Sequence, residues 1–365
     1  MSSRLIEPGL RQGCVTLPFS KSHAHRVLIA EFLAGRFTAL APAVDDCEDV
    51  LATKRCLHAL GESDEAPLDC GESGTTRRLL GPVAAALGHK QTWIMRGRLA
   101  SRPQIDYATL APGVFELPGD VSSQFASGLL FALPRLKGDS EIRFTTPLRS
   151  RGYVEMTCAV LRAYGICVEA TATGFRVPGR QIYRAPATIP EIERDWSGAA
   201  FWLAANALGN RLTIEGLTDT SCQPDRRIAA VLANLPQTID MEEFPDSFPI
   251  LSLVAAARAG ETQFTGIARL RLKECDRVAA MEAVLTRLGR AVKVSETTFC
   301  VVGEDKPFKG GTFQVYNDHR IAMTLAIAAT RSEAALVIDN PDCVAKSYPQ
   351  FWETFSALRD VARLG

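Results

Sequence analysis

Tyr316-Asn317-Asp318-His319-Arg320, with the run Ile321 to Ala329 behind it, is the stretch from which the rest of the chain is read. A donor, an acid, an imidazole and a guanidinium stand directly ahead of a segment made almost wholly of Ile, Ala, Met, Thr and Leu. That segment predicts a buried helix, because it is apolar around most of its circumference. An Asn or Asp ahead of it can cap the first backbone N–H groups. A helix start with a fixed cation beside it is suited to hold an anion. The alternative is a capped core helix whose polar residues face water. The recurrence of the arrangement along the chain favours the anion reading.

Polar openings of this kind precede five other small-residue runs. They are Ser20-Lys21-Ser22-His23-Ala24-His25-Arg26, Ser73-Gly74-Thr75-Thr76-Arg77-Arg78, Ser122-Ser123-Gln124, Asp195-Trp196-Ser197-Gly198 and Pro245-Asp246-Ser247-Phe248-Pro249. Between them lie more charged, amphipathic stretches at 46–60, 151–164, 225–235, 274–288 and 348–360. Met281, Val284, Leu285 and Leu288 keep the spacing of one buried helix face. Strand-like segments separate the helices at 141–144, 167–170, 211–214 and 299–302. The pattern predicts about six stacked units, each with a buried helix, a surface helix and short strands, and so two similar halves. The proline-rich segment 186–191 has the composition of a boundary. If the buried helices of each half run parallel, their N-termini emerge on one face. Two such faces would form a cleft lined by Lys and Arg, suited to a substrate with several negative charges.

Composition narrows the function. Of 365 residues, 47% are hydrophobic and 22% charged, with zero formal net charge. Nucleic-acid and anionic-membrane binders normally carry a basic excess, and none is present. No apolar run reaches the ~20 residues of a membrane span, and the stretch Met1-Ser2-Ser3-Arg4 lacks a signal-peptide core. The expected compartment is the cytoplasm. The ten cysteines are scattered singly, as expected of thiols in a reducing compartment. The sequence has no P-loop, no dinucleotide fingerprint, no G-x-S-x-G elbow and no His and Cys cluster for zinc. Chemistry would rest on cations, His and carboxylates. The cations at helix openings are Lys21, Arg26, Arg78, Arg102, Lys273, Arg277, Arg320 and Lys346, and the candidate acids are Asp246, Glu274, Asp276 and Asp318. Arg suits bidentate capture of carboxylate or phosphate, and Lys acts as a movable point charge.

Taken in order, Lys21-Ser22-x-x-His25-Arg26, Gly74-Thr75 with Arg78, Arg102-Pro103, Ser122-Ser123-Gln124, Pro245-Asp246, Lys273-Glu274-x-Asp276-Arg277, Tyr316-Asn317-Asp318-His319-Arg320 and Ala345-Lys346 resemble the 5-enolpyruvylshikimate-3-phosphate (EPSP) synthase family of enolpyruvyl transferases. The resemblance runs from about residue 15 to residue 352. It implies an α/β fold of two similar domains of repeated βαβαββ units, an inside-out α/β barrel. The expected domains are 13–190, and 1–12 together with 191–365. It implies transfer of the enolpyruvyl group of phosphoenolpyruvate to the 5-hydroxyl of shikimate 3-phosphate, in the shikimate pathway to chorismate and aromatic amino acids. No metal or organic cofactor is expected, the partners are the two small-molecule substrates, and a monomer is the expected state.

Carried over by position, Lys21, Ser22, Arg26, Ser122, Ser123, Gln124, Ser150, Tyr153, Asp246 and Lys273 would hold shikimate 3-phosphate. Lys21, Gly74, Arg78, Arg102, Gln124, Arg277, Arg320 and Lys346 would hold phosphoenolpyruvate, whose place the herbicide glyphosate takes in this family. Asp246 would take the proton from the attacking hydroxyl. Glu274 and Lys21 are candidates for protonating the methylene carbon, with His319 nearby. The chain departs from the usual pattern at Phe19, His25, Arg77 and Arg269. Segments 62–70, 103–118 and 236–244 are also too short for the strand pairs the family places there, so the first, second and fourth units are expected to be trimmed. The rival readings are the sister enzyme that acts on UDP-N-acetylglucosamine, which would carry Lys-Asn in the first motif and a reactive loop cysteine, and an inactive anion-binding relative.

Overall fold

The computed structural model describes residues 2–37, 41, 43, 45–107 and 109–361. The chain divides into two compact units, one of residues 20–193 and one joining the first nineteen residues to the stretch from 194 onward. β1 (Ser3–Ile6) and β2 (Arg11–Thr16) belong to the second of these.

The unit of residues 20–193 begins with α1 (Lys21–Leu33) and α2 (Glu48–Glu62). Then come β3 (Leu68–Gly71), α3 (Gly74–Ala86) and β4 (Trp93–Met95). It ends with β5 (Val114–Leu117), α4 (Ser123–Ala132), β6 (Ser140–Phe144), α5 (Arg151–Ala163), β7 (Glu169–Ala170) and β8 (Gly174–Val177).

From residue 194 the chain runs through α6 (Trp196–Ala207), β9 (Arg211–Glu215), α7 (Ile228–Ala233) and β10 (Thr238–Asp240). Next are α8 (Phe248–Ala256), β11 (Gly260–Thr265), α9 (Arg277–Arg287), β12 (Ala291–Val294) and β13 (Phe299–Gly303). Last come β14 (Gly311–Phe313), α10 (His319–Ala329), β15 (Leu336–Asp339), α11 (Phe351–Ala357) and β16 (Arg359–Asp360).

The repeat is explicit in the sheets. β5-β6-β8-β7 and β10-β11-β13-β12 have the same order, with the first pair parallel and the others antiparallel. Each is a complete βαβαββ unit. In the units built on α1, α3 and α6 the described residues lack the closing strand pair. β3 pairs with β4 alone. After β4 a single 3-10 turn, Gly97–Ser101, stands where a surface helix would be. Short loops lead from α2 into β3 and from α7 into β10. The trimming falls in the three units where the segment lengths predict it. The first strands complete two sheets of the later unit, β1 lying antiparallel to β15 and β2 parallel to β9. The β2–β9 pairing carries the later unit's share of the first strands beyond residue 12, where the sequence reading draws its line.

The predicted division between helix types holds. α6, α8 and α10 are buried around nearly all their circumference and pack on one another as the core of their unit. Only small side chains permit this, and Ala supplies many of them. α9 instead buries one stripe, including Met281, Val284 and Leu285. In the other unit α3 and α4 approach so closely that a Cβ on Gly128 would overlap the Arg78 carbonyl oxygen. Ser20, Ser73, Ser122, Asp195 and Asp318 cap α1, α3, α4, α6 and α10 through their side chains. None of the ten cysteines forms a disulfide.

Candidate active site

The later unit gathers its charged residues around one guanidinium. Arg277 opens α9 and is fully buried. Its Nε donates to Asp318 Oδ2, its Nη1 to Asp246 Oδ1 and its Nη2 to Glu274 Oε2, each at 2.8 Å. Burial works against that charge, but Asp318, Glu274 and Asp246 outweigh it and hold the group protonated. Three carboxylates around one cation would leave negative charge uncompensated. Lys273 Nζ, 3.1 Å from Asp246 Oδ1, and Arg320 Nη2, 3.5 Å from Asp246 Oδ2, supply the rest.

Asp246 sits in the 3-10 turn Pro245–Ser247 ahead of α8. The cap position of α8 is Ser247, whose side chain makes no capping bond among the described residues. Burial would raise the pKa of Asp246, yet Lys273, Arg320 and Arg277 together hold it well below the usual 3.8. Its side chain keeps 29% exposure, so the ionised carboxylate remains open to a reacting group.

Asp318 behaves differently. It is fully buried, caps α10 by accepting from the Arg320 N–H at 2.9 Å, and binds Arg277 through both oxygens. Of the four acids proposed for proton exchange, this one anchors, as does Asp276, which caps α9 by accepting from Val278 N and Ala279 N. His319 is also buried, and its Nδ1 lies 3.8 Å from an oxygen that Asp318 gives to its cap and to Arg277. Ahead of Asp318, Tyr316 and Asn317 both have left-handed φ, 55° and 54°. That conformation is disfavoured by ~1–2 kcal/mol for a residue with a Cβ, and the Asn340 side-chain amide, donating to Asn317 Oδ1 at 2.9 Å, helps to hold it. Lys346 is buried at the end of the 3-10 turn Pro341–Lys346, which packs on α10.

The other unit presents a second cationic set. A Cβ on Gly74 would lie 3.1 Å from Arg78 Nη1 and 3.2 Å from Arg102 Nη1, so both guanidinium groups lean over the bare start of α3. Gln124, on the capped first turn of α4, accepts from Arg78 Nη1 at 2.8 Å and donates to Thr75 Oγ1 at 2.9 Å. Arg26 is buried and braces two neighbours, donating to the Ser22 carbonyl at 2.6 Å and the Tyr153 carbonyl at 3.0 Å. Its Nε donates to Thr157 Oγ1 at 2.8 Å. Ser150 precedes α5 in a left-handed conformation (φ 52°), and its carbonyl accepts from Tyr153 N. Ser123 is buried on the first turn of α4. Lys21 Nζ lies 2.9 Å from Asp49 Oδ2.

Sequence reasoning does not single out Asp49, Thr53, Thr76 or Ser197. Ser197 accepts from Arg320 Nη2 at 2.8 Å. Its place in the fourth polar opening is the only signal that points to it. Asp49 lies in a stretch that reads as a solvated helix. The departures from the usual pattern have local partners. Arg77 stacks on Trp93 at 4.5 Å, Phe19 lies under Arg194 at 4.2 Å, and Arg269 pairs with Glu242 at 3.5 Å.

Repeated βαβαββ units with cations at the buried helix starts define an enolpyruvyl-transferase-like fold. Solved structures agree. EPSP synthase from Acinetobacter baumannii superposes with a TM-score of 0.75 at 22% identity, over 98% of both chains. The enolpyruvyl transferase NikO from Streptomyces tendae gives 0.69 at 17% identity, over 98% of both chains. The family model for EPSP synthase (3-phosphoshikimate 1-carboxyvinyltransferase) matches residues 94–239 and 233–355. The 3-phosphoshikimate 1-carboxyvinyltransferase of Clostridium kluyveri is 36% identical, over 97% of this chain and 96% of that protein. That of Clostridium perfringens strain SM101 is 34% identical over the whole of both. The chain belongs to the EPSP synthase family. The perfringens alignment spans 426 positions against 365 residues here, so 61 positions face gaps in this chain, as trimmed units require.

Proposed function

We propose that the two cationic sets serve the family's reaction, transfer of the enolpyruvyl group of phosphoenolpyruvate to the 5-hydroxyl of shikimate 3-phosphate with release of phosphate. The observation that carries this reading is Asp246, a part-buried carboxylate held ionised among Lys273, Arg277 and Arg320.

Asp246 takes the proton of the 5-hydroxyl as its oxygen bonds to C2 of phosphoenolpyruvate. Lys21 or Glu274 delivers a proton to the methylene carbon, giving a tetrahedral ketal. Phosphate then leaves and the new methyl group returns a proton. Gly74, Arg78, Arg102, Gln124, Lys21, Arg320 and Lys346 hold phosphoenolpyruvate, and Arg277 takes up its carboxylate by exchanging one of the protein's own for it. Such an exchange loosens Asp246 from a cation and raises its basicity at the moment the hydroxyl arrives. Ser122, Ser123, Gln124, Ser150, Lys21 and Lys273 hold shikimate 3-phosphate, with Ser22 and Tyr153 braced by Arg26. Fixed cations stabilise the charge that develops on the ketal and the departing phosphate. The protein works in the cytoplasm as a monomer, and no helix among the described residues is long and apolar enough to cross a membrane.

The test is phosphate release from phosphoenolpyruvate with shikimate 3-phosphate, beside UDP-N-acetylglucosamine and an Asp246→Asn control. Release with the first acceptor alone, lost in the variant, is expected. Binding of both substrates by folded protein without turnover would instead establish an inactive relative.

A further inference from the structure

Lys21 and His25 stand one turn apart on α1, and Asp49 and Thr53 stand one turn apart on α2. The pairs meet rung by rung, Lys21 on Asp49 and His25 Nδ1 at 2.7 Å from Thr53 Oγ1. Thr53 Oγ1 is in turn 2.7 Å from Thr76 Oγ1. Thr76 Oγ1 lies 2.8 Å from Ser73 Oγ and 3.3 Å from the Asp49 carbonyl oxygen. Ser73 is the cap of α3, and its Oγ accepts from Thr76 N at 3.3 Å. Gly74 follows the cap directly, and Arg78 lies one turn further on. His25, Thr53, Thr76 and Ser73 are all within 1% of complete burial.

One hydrogen per hydroxyl fixes the direction of the chain. If Thr76 donates to Ser73 or to the Asp49 carbonyl, Thr53 must donate to Thr76, and His25 must then donate its Nδ1–H to Thr53. The opposite order would put a proton on His25 Nε2, which is buried with no hydrogen-bond partner among the described residues. Orphaned buried N–H groups are rarer than orphaned acceptors, so the geometry selects the Nδ1–H ring. The charged groups facing it are Asp49, Lys21 and Arg26. Burial, only partly offset by Asp49, pushes the imidazolium down to about 3, so the ring stays neutral.

We propose that His25, Thr53 and Thr76 form a positioning relay that sets the start of α3, and with it Gly74 and Arg78, against Lys21 on α1. This rests on the assignment of those three groups to phosphoenolpyruvate. α2 is then more than a solvated helix, since it transmits the position of one helix start to the next. The relay residues act through the cap at Ser73.

Thr53→Val keeps the shape and removes the link, and Thr53→Ser keeps the hydroxyl. Thr53→Val is expected to raise the KM for phosphoenolpyruvate about tenfold, as loss of a buried hydrogen bond allows. The KM for shikimate 3-phosphate should rise far less, since of the groups that hold it only Lys21 and Gln124 adjoin the start of α3, and Thr53→Ser should restore the first value. A lower Tm with both KM values unchanged, both rising together, or no recovery in Thr53→Ser would overturn the relay. Should Thr53→Val fail to fold, nitrogen-15 NMR of histidine-labelled wild type decides. An Nδ1–H ring unchanged from about pH 5 to 9 is expected, and an Nε2–H or titrating ring would sink it. Wild type without turnover would count against the proposed reaction, while the NMR result would still decide the relay.

Discussion

Asp246 is ionised because three cations outweigh its burial, and that has a signature in stability. Its pKa is depressed on folding, so its contribution is complete above the unfolded value near 3.8 and fades as pH falls through the lower folded value. The Tm difference between wild type and Asp246→Asn should be constant from about pH 5 to 8 and shrink below that. A difference that grows on acidification would contradict the cation cage. Turnover in the same variant should fall by about 10²–10⁴-fold, the range for loss of a positioned base. Arg277→Met would leave Asp318 fully buried, and Glu274 part-buried, without their common cation. Removing one partner of a buried pair typically costs about 3–5 kcal/mol, and urea unfolding should show a loss of that order. Much of this was legible in the sequence, since the residue types in Lys273-Glu274-Cys275-Asp276-Arg277 announce dense charge. Which acid faces a substrate was not. Asp246 and Asp318 both precede apolar helices, and only the fold shows that the second caps its helix under full burial while the first pairs with Lys273, Arg277 and Arg320.

Element spacing is set by small side chains at the buried helices. Gly128 on α4 faces the backbone of Arg78 on α3, where a Cβ has no flexible neighbour to displace. Gly128→Ala should therefore destabilise the protein by about 1–3 kcal/mol and weaken phosphoenolpyruvate binding, because Arg78 and Gln124 would be pushed apart. Chemical denaturation and KM measured together check it, and an unchanged KM would detach this contact from the site. Gly74→Ala is the opposite case. Its Cβ would meet only the mobile heads of Arg78 and Arg102 at 3.1 and 3.2 Å. The protein should fold normally, and inhibition by glyphosate should weaken more than turnover. Helix existence was readable from composition because these cores are alanine-rich runs with polar openings. The role of α2 was hidden. Its charged residues satisfy the pattern of a solvated face, yet Asp49 and Thr53 are buried against α1 and α3.

At the scale of the molecule, the uneven sheets should give uneven dynamics. β4 closes a two-stranded sheet, whereas β13 lies inside a four-stranded one. Amides of Trp93–Met95 should exchange with solvent faster than those of Phe299–Gly303 in a native-state experiment. Equal protection would mean that packing on α2 and α3 compensates for the missing strands. The trimming was visible as missing length. The partners of the first two strands were not, because pairing across so much intervening chain leaves no local pattern. That pairing also imposes an order in time. β2 hydrogen-bonds to a strand 199 residues further on, with everything from Ser20 to Glu193 made in between. At ~5–20 residues per second, a ribosome takes about 10–40 s to span that gap. The inserted unit therefore meets its whole sequence first and can fold as it emerges. The strand that preceded it out of the tunnel must wait, its edge unprotected, for a partner not yet born.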